Sequence, residues 1–346
     1  MDEPIKSWVT LLAGNDRRGG TTGGRREGPK DMVWKVSLPG AVRSSPVFAR
    51  GVLHVTHRGG RLHALDGLTG RERWVFTAPA PIHSTPSLCG DLVFFGCDDG
   101  AVRAVNQASG QLKWSAPSEG AVFTSPSVHR GTVFFGSSGG VFSAVDQETG
   151  RARWSRRFDG QIHSTAFVTD ERVYFGCSNG RVCALDAETG ADAWAFEAGD
   201  GVTAAPAVTD GLVLVGSEDH VFYALDAARG TVRWRFATSG GLASSPAVSG
   251  GKVVFGGRDG HVYALSVADG REVWRSDFMR PITSAPLAGA SIACVQTFYG
   301  ATQAFDLERG TPIWRANLGG SLQSTPVIAG EMLYLATYFG DVYALR

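Results

Sequence analysis

The sequence predicts an all-β fold: an eight-bladed β-propeller of four-stranded antiparallel blades, with the last blade closed by the N-terminal strand. Three observations carry that expectation. Eight of the nine tryptophans, Trp34, Trp74, Trp114, Trp154, Trp194, Trp234, Trp274 and Trp314, stand 40 residues apart with no insertion or deletion. The segments that end on them repeat, as in ALDGLTGRERW (64 to 74), AVDQETGRARW (144 to 154) and AFDLERGTPIW (304 to 314). Each unit also holds short β-rich runs bounded by Gly, Asp and Ser clusters, with no amphipathic helical stretch of useful length. Four strands fit into 40 residues, which is the period of a propeller blade.

In the first unit the runs predict strand A over Val42 to Phe48, B over Val52 to Thr56, C over Arg61 to Leu65 and D over Glu72 to Phe76. In the turn Leu65-Asp66-Gly67-Leu68-Thr69-Gly70, Asp66 is placed to accept backbone N–H bonds and Gly70 to supply a positive φ before strand D. Asp or Asn recurs at 66, 106, 146, 186, 226 and 306; Ser266 departs, and its hydroxyl is expected to make the same bond more weakly. The recurrent Trp is expected to wedge between neighbouring blades. The last unit stops just after strand C at Arg346, while Trp34 sits in an orphan strand, Val33 to Val36. That strand is expected to complete the last blade and remove an open sheet edge. The chain thus divides into a lead-in, 1–30, rich in Gly and Arg and read as flexible with Trp8 docked on the ring, and a propeller, 31–346.

Composition sets the functional limits. The chain has 346 residues, with 33 Lys+Arg against 33 Asp+Glu, and 43% of them are hydrophobic. Balanced charge argues against a nucleic-acid partner, and the absence of an apolar run of about 18 residues argues against a membrane span. The start MDEPIKSWVT shows no apolar signal core and no lipid-anchoring cysteine, so a cytoplasmic address is expected. Five cysteines, with no CxxC and no adjacent pair, read as reduced thiols.

The A-x-D-x-x-T-G-x-x-x-W signature resembles the tryptophan-docking repeat of the PQQ-like β-propeller family, which includes quinoprotein dehydrogenases and the bacterial outer-membrane assembly lipoprotein. The lead-in, Trp8 followed by Gly14-Asn15-Asp16-Arg17-Arg18-Gly19, is similar to the start of bacterial members. For the dehydrogenases the resemblance implies PQQ above the propeller axis, held by long inserted loops, a Glu/Asn/Asp calcium set and often a disulfide between adjacent cysteines. Here every blade is the bare unit, and Glu218-Asp219 is the one acidic cluster at the inner face, so neither cofactor nor metal is expected. For the lipoprotein it implies export and a lipid anchor, which this start does not show.

Because the repeat is exact in length, positions that break the pattern need a reason other than the scaffold. D-to-A loops and B-to-C turns share one face, the mouth. There the residue after the constant aliphatic of strand A varies: Arg43, His83, Phe123, His163, Thr203, Ala243, Thr283 and Gln323. The B-to-C turns of blades 2, 3 and 4 are bland, whereas blades 7, 8 and 1 carry Thr297-Phe298-Tyr299-Gly300, Thr337-Tyr338-Phe339-Gly340 and His57-Arg58-Gly59-Gly60. Aromatics clustered with cations mark recognition, so His57, Arg58, Phe123, Phe298, Tyr299, Gln323, Tyr338 and Phe339 are the expected ligand-binding residues. Glu218, Asp219 and His220 of blade 5 are secondary candidates, with His220 standing where the other units place Gly. His83 and His163, in matching Ile-His-Ser-Thr contexts, are candidate acid and base, with Arg43 to steady an anion. Two histidines fall short of a zinc site, and no G-x-S-x-G, Walker A, dinucleotide or H-E-x-x-H motif is present. Two functions fit: binding of a small organic ligand or a peptide segment in the axial funnel, without PQQ, or cofactor-independent proton-transfer catalysis (cyclisation, isomerisation or elimination) on a small, secondary-metabolite-like substrate.

Overall fold

The computed structural model describes residues 29, 31–297, 300–317, 321–322 and 324–346. The expectations for the lead-in and for Trp8 therefore lie outside the described residues. Among the described residues all regular elements are strands, grouped into eight antiparallel four-stranded sheets. In blade 1 strands B, C and D span Val52–His57, Arg61–Asp66 and Glu72–Thr77, each within a residue of the expected run. Strand A is shorter than expected, Val47–Ala49. Pro46 has no N–H to give to a ladder, and the residues before it bond through side chains instead: Ser44 Oγ donates to the Thr56 carbonyl and Thr56 Oγ1 to Ser84 of the next blade.

Those short innermost segments form a belt around the axis. The backbone N–H of Ser45 donates to Thr85 Oγ1 (2.9 Å), that of Thr85 to Ser125 Oγ (3.0 Å) and that of Ser125 to Thr165 Oγ1 (3.1 Å). Ala205 and Ala285, which lack the hydroxyl, interrupt the series; between them the Ala205 N–H donates to Ser245 Oγ at 2.9 Å, and Thr325 N–H closes the belt onto Ser45 Oγ at 2.8 Å. Outside the belt, the constant aliphatics, such as Val42, Ile82 and Ile162, are fully buried between blades. In blades 2 to 6 strand B ends in glycine, which leaves room for the aliphatic of the next blade: a Cβ on Gly136 would stand 2.2 Å from Ile162 Cγ2.

Seven of the eight repeat tryptophans bond across to the following blade; Trp314 is the exception, its indole N–H buried with no hydrogen-bond partner among the described residues. The indole N–H of Trp34 donates to the Gly67 carbonyl at 2.9 Å, and the same bond recurs 33 residues on from Trp74, Trp114, Trp154, Trp194, Trp234 and Trp274. The Trp34 ring also lies against Gly70, whose φ is 70° and whose Cβ, if present, would stand 2.8 Å from the indole. Asp66 Oδ1 accepts the N–H groups of Leu68 and Thr69 as expected. Blade 6 solves the turn differently: where Ser266 was expected to accept, Asp269 accepts the Arg271 N–H at 3.2 Å together with the Ser266 hydroxyl.

The ring closes as predicted. Met32–Ser37 pairs antiparallel with Asp341–Leu345, outermost in the sheet whose inner strands are Met332–Ala336 and Val327–Ala329. Asp31 and Arg346 exchange two backbone hydrogen bonds, at 2.9 and 2.8 Å.

Candidate functional site

The mouth is built by two concentric positions of the repeat, the residue after the buried aliphatic and the second residue of the B-to-C turn. In seven blades turn and loop are tied together by a backbone bond, such as Arg58 N to the Ala41 carbonyl (2.9 Å) and Asp98 N to the Pro81 carbonyl (3.0 Å). The side chains of adjoining blades therefore converge. Arg43 lies over the Tyr338 ring, 5.5 Å from its centroid, and Arg58 Nη1 sits 3.5 Å from the Tyr338 hydroxyl. Phe339 packs edge-on against Tyr338 (5.9 Å) and is 72% exposed. Among the described residues neither guanidinium has a carboxylate within ion-pair distance, although Arg58 acts electrostatically on Asp98.

Next around the axis, three rings stand in a row. Phe123 meets His83 at 5.4 Å and His163 at 5.4 Å, edge-to-face with both. The two histidines are thus separated by a phenyl ring, and neither hands a proton directly to the other. His83 Nε2 lies 3.3 Å from Asp98 Oδ2. Burial lowers the His83 pKa, Asp98 pulls it up, and Arg58 and Arg43 press it down again. Burial raises that of Asp98, opposed by His83 and Arg58. His163 is lowered by burial, and its Nε2, like Asp98 Oδ1, is buried with no hydrogen-bond partner. Both imidazoles are therefore neutral at pH 7, the state in which they accept protons.

His57 departs from the turn-tip position that the sequence suggests. It is 1% exposed and turned into blade 1, where its ring stacks on His63 at 5.1 Å. The Gly59 N–H donates to His57 Nδ1 (2.9 Å), which leaves the His57 proton on Nε2; that N–H donates to His63 Nε2 (3.0 Å), and His63 Nδ1–H donates to Glu72 Oε2 (2.6 Å). One tautomer per ring satisfies the whole chain. Burial, and then His63 and Arg61, push the His57 pKa down to about 4. This relay, and Asp98, are what sequence reasoning missed. The signal for the relay was available at position 63, where the other units hold Arg103, Ser143, Cys183, Tyr223, Tyr263, Gln303 and Tyr343.

In blade 5, His220 adopts φ 69°, the left-handed conformation taken by glycine at this position in blade 1, and is exposed. Its carbonyl accepts both the N–H and the hydroxyl of Thr238, which anchors the strained turn. Glu218 forms a two-pronged pair with Arg258 (3.0 and 2.8 Å). Asp219 accepts from Tyr223 Oη (2.7 Å), Gly199 N (2.7 Å) and Val221 N (2.9 Å). Phe298, Tyr299 and Gln323 lie outside the described residues. The residues present do not fit a calcium-bound quinone: the acidic pair is spent on Arg258 and Tyr223, and among the described residues no group of three or more His, Cys, Asp or Glu is placed to hold a metal ion.

The fold and the repeat define the class, a PQQ-like β-propeller. The family model described as outer membrane protein assembly factor BamB matches residues 28–127, 98–200, 178–300 and 258–346, so the chain belongs to that family. Among solved structures it is similar to BamB from Moraxella catarrhalis, with 18% identity, a TM-score of 0.80, and coverage of 91% of this chain and 99% of that one. The computationally designed Ika8 protein is similar at 18% identity, TM-score 0.81, covering 92% and 100%. The quinohemoprotein alcohol dehydrogenase from Comamonas testosteroni is similar at 16% identity, TM-score 0.77, covering 91% and 76%. At these identities the likeness is one of fold. No curated protein sequence matches the chain.

Proposed function

We propose that this propeller is a binding protein whose axial mouth takes a small organic anion with a flat ring, without PQQ. The observation that carries the reading is the convergence of Arg43 and Arg58 on Tyr338 with no carboxylate in ion-pair contact among the described residues. A guanidinium pair left open to a ligand suits a carboxylate or phosphate, and the row of His83, Phe123 and His163 beside it offers ring edges and faces for an aromatic body. The five cysteines stand as free thiols, which suits a reducing compartment, and the reading places the protein in the cytoplasm.

Calorimetric titration with benzoate, cyclohexanecarboxylate and benzylamine tests it. The expected order of affinity is benzoate first and benzylamine last, with Arg43→Gln plus Arg58→Gln weakening benzoate by about tenfold or more, the worth of one charge-assisted hydrogen bond. Equal binding of amine and carboxylate, or an unaffected double variant, overturns it. One observation favours a second reading as a proton-transfer enzyme: two neutral imidazoles line the same mouth, one paired with Asp98 and the other with an unpartnered Nε2. Under that reading a ligand bearing an acidic C–H exchanges its proton with deuterated water in the presence of the protein, and His83→Gln abolishes the exchange.

A further inference from the structure

The turn that carries Arg58 is braced differently from those of blades 2, 5 and 6. Blade 6 is the closest comparison, because its turn, Gly257-Arg258-Asp259-Gly260, also presents an arginine at the second position. The backbone bonds match: Arg258 N to the Gly241 carbonyl (3.0 Å) and Gly260 N to the Gly257 carbonyl (3.1 Å), beside Arg58 N to Ala41 (2.9 Å) and Gly60 N to His57 (3.0 Å). In blade 6 the third turn residue supplies the brace, Asp259 accepting the His261 N–H (3.1 Å) and the Tyr263 hydroxyl (2.7 Å). Asp219 does the same with Val221 and Tyr223, and Asp99 with Ala101 and Arg103. In blade 1 the third residue is Gly59, and the brace comes from the first, His57, whose Nδ1 takes the Gly59 N–H while its Nε2–H leads through His63 to Glu72. Glycine changes place for a steric reason: a Cβ on Gly257 would stand 2.3 Å from Asp259 Oδ1, and one on Gly59 would stand 2.6 Å from the His57 ring. Gly40, across from the turn, meets the same ring, with 2.3 Å from its Cβ position to His57 Nδ1.

We propose that His57 is a positioning residue for Arg58: a neutral imidazole brace, anchored through His63 on Glu72, fixes the turn 57–60 and aims the guanidinium at an anionic ligand without placing a carboxylate in that turn. The inference deepens the binding function proposed above and rests on it. His57 is 1% exposed, so it acts on a ligand only through the backbone it holds. Its neutrality follows from the bonding, since an Nδ1 that accepts the Gly59 N–H carries no proton. The contrast with blade 6 supplies the chemical reason. Arg258 is already paired with Glu218, so a carboxylate brace costs that turn nothing in ligand affinity. Arg58 has no such pair among the described residues, and an aspartate beside it would weaken its attraction for an anion. An imidazole offers the same acceptor with no charge, and a guanidinium held in advance loses less freedom when it binds.

The test is a set of mutant cycles on the full-length protein at pH 7, with benzoate as the probe and calorimetry as the readout. In the unaltered protein Arg58→Gln is expected to weaken benzoate about fivefold. His57→Phe keeps a ring in the gap but removes acceptor and donor, and in that background Arg58→Gln is expected to change affinity by less than about twofold. H57G/G59N/H63Y, which moves an uncharged brace to the third residue after the pattern of blade 6, is expected to restore the effect of Arg58→Gln. H57G/G59D/H63Y is expected to bind benzoate about threefold or more weakly than its G59N counterpart, by a margin that shrinks as salt rises. If Arg58→Gln costs the same with His57→Phe as without it, or if the G59D and G59N forms bind alike, the inference is overturned. If benzoate fails to bind the unaltered protein, the binding function falls instead, and the brace is read without ligand from the Gly59 amide. Labelling with [1-13C]arginine and [15N]glycine leaves only the Arg–Gly steps of the sequence visible, and G59D identifies the one at 58–59. That amide is expected to exchange with deuterated water about tenfold or more slowly in the unaltered protein than in His57→Phe. An unprotected Gly59 amide in the unaltered protein overturns the brace by itself, whether or not the variants fold.

Discussion

His54 and His57 are imidazoles held neutral by burial, each with its pKa pushed down to about 4. In the unfolded chain both titrate near 6.5. Between those values the unfolded state binds more protons than the folded one, so their stabilising effect is complete above about pH 6.5 and is lost as pH falls toward 4. Denaturant midpoints measured across that window are expected to drop, with His54, fully buried, contributing on the order of 3 kcal/mol. His63→Ala is expected to cost about 2–3 kcal/mol at pH 7, because it leaves the His57 Nε2–H buried without an acceptor. By contrast, the double change His83→Ala plus His163→Ala is expected to leave the thermal midpoint within a few degrees, since both rings are half-buried at the mouth; a large loss in calorimetry would put them in the core. At this scale the sequence was readable wherever counting suffices: Arg43, His83, Phe123 and His163 share a unit position and do come to one mouth. It was unreadable where a partner decides the matter. Asp98 looks like any turn aspartate until its neighbour His83 is placed, and the inward turn of His57 depends on a diagonal contact set by sheet twist.

At the scale of the element, the blade is held by what one strand lends the next. Gly70 answers two demands at once, a left-handed backbone and room for the Trp34 ring, whereas Gly51, with φ 76°, has no atom within 4 Å of a Cβ built on it. Gly51→Ala is therefore expected to cost about 1 kcal/mol and Gly70→Ala about 3 kcal/mol or more, because the second also displaces the indole; paired urea titrations resolve the difference. Strands B, C and D could be read from their alternation and turn residues. Strand A could not be bounded, because the hydroxyl belt that replaces its ladder joins different blades, and such contacts leave no local period in the sequence.

The whole molecule rests on the seam between Met32–Ser37 and Asp341–Leu345. Removing residues up to 37 bares the Asp341–Leu345 edge, and light scattering is expected to show association or aggregation; a synthetic peptide spanning 31–38 is expected to restore the monomeric profile. Ser45→Ala, which takes away the acceptor of the Thr325 N–H, is expected to cost about 1 kcal/mol. Since Asp31 and Arg346 already touch through paired backbone bonds, the wheel has no physical first spoke. A circular permutant of residues 31–346, with Asp31 and Arg346 joined by a short linker and the backbone opened at an outer turn of another blade, would rebuild the same object from a different starting residue, and the order in which the blades are read would cease to matter to the finished shape.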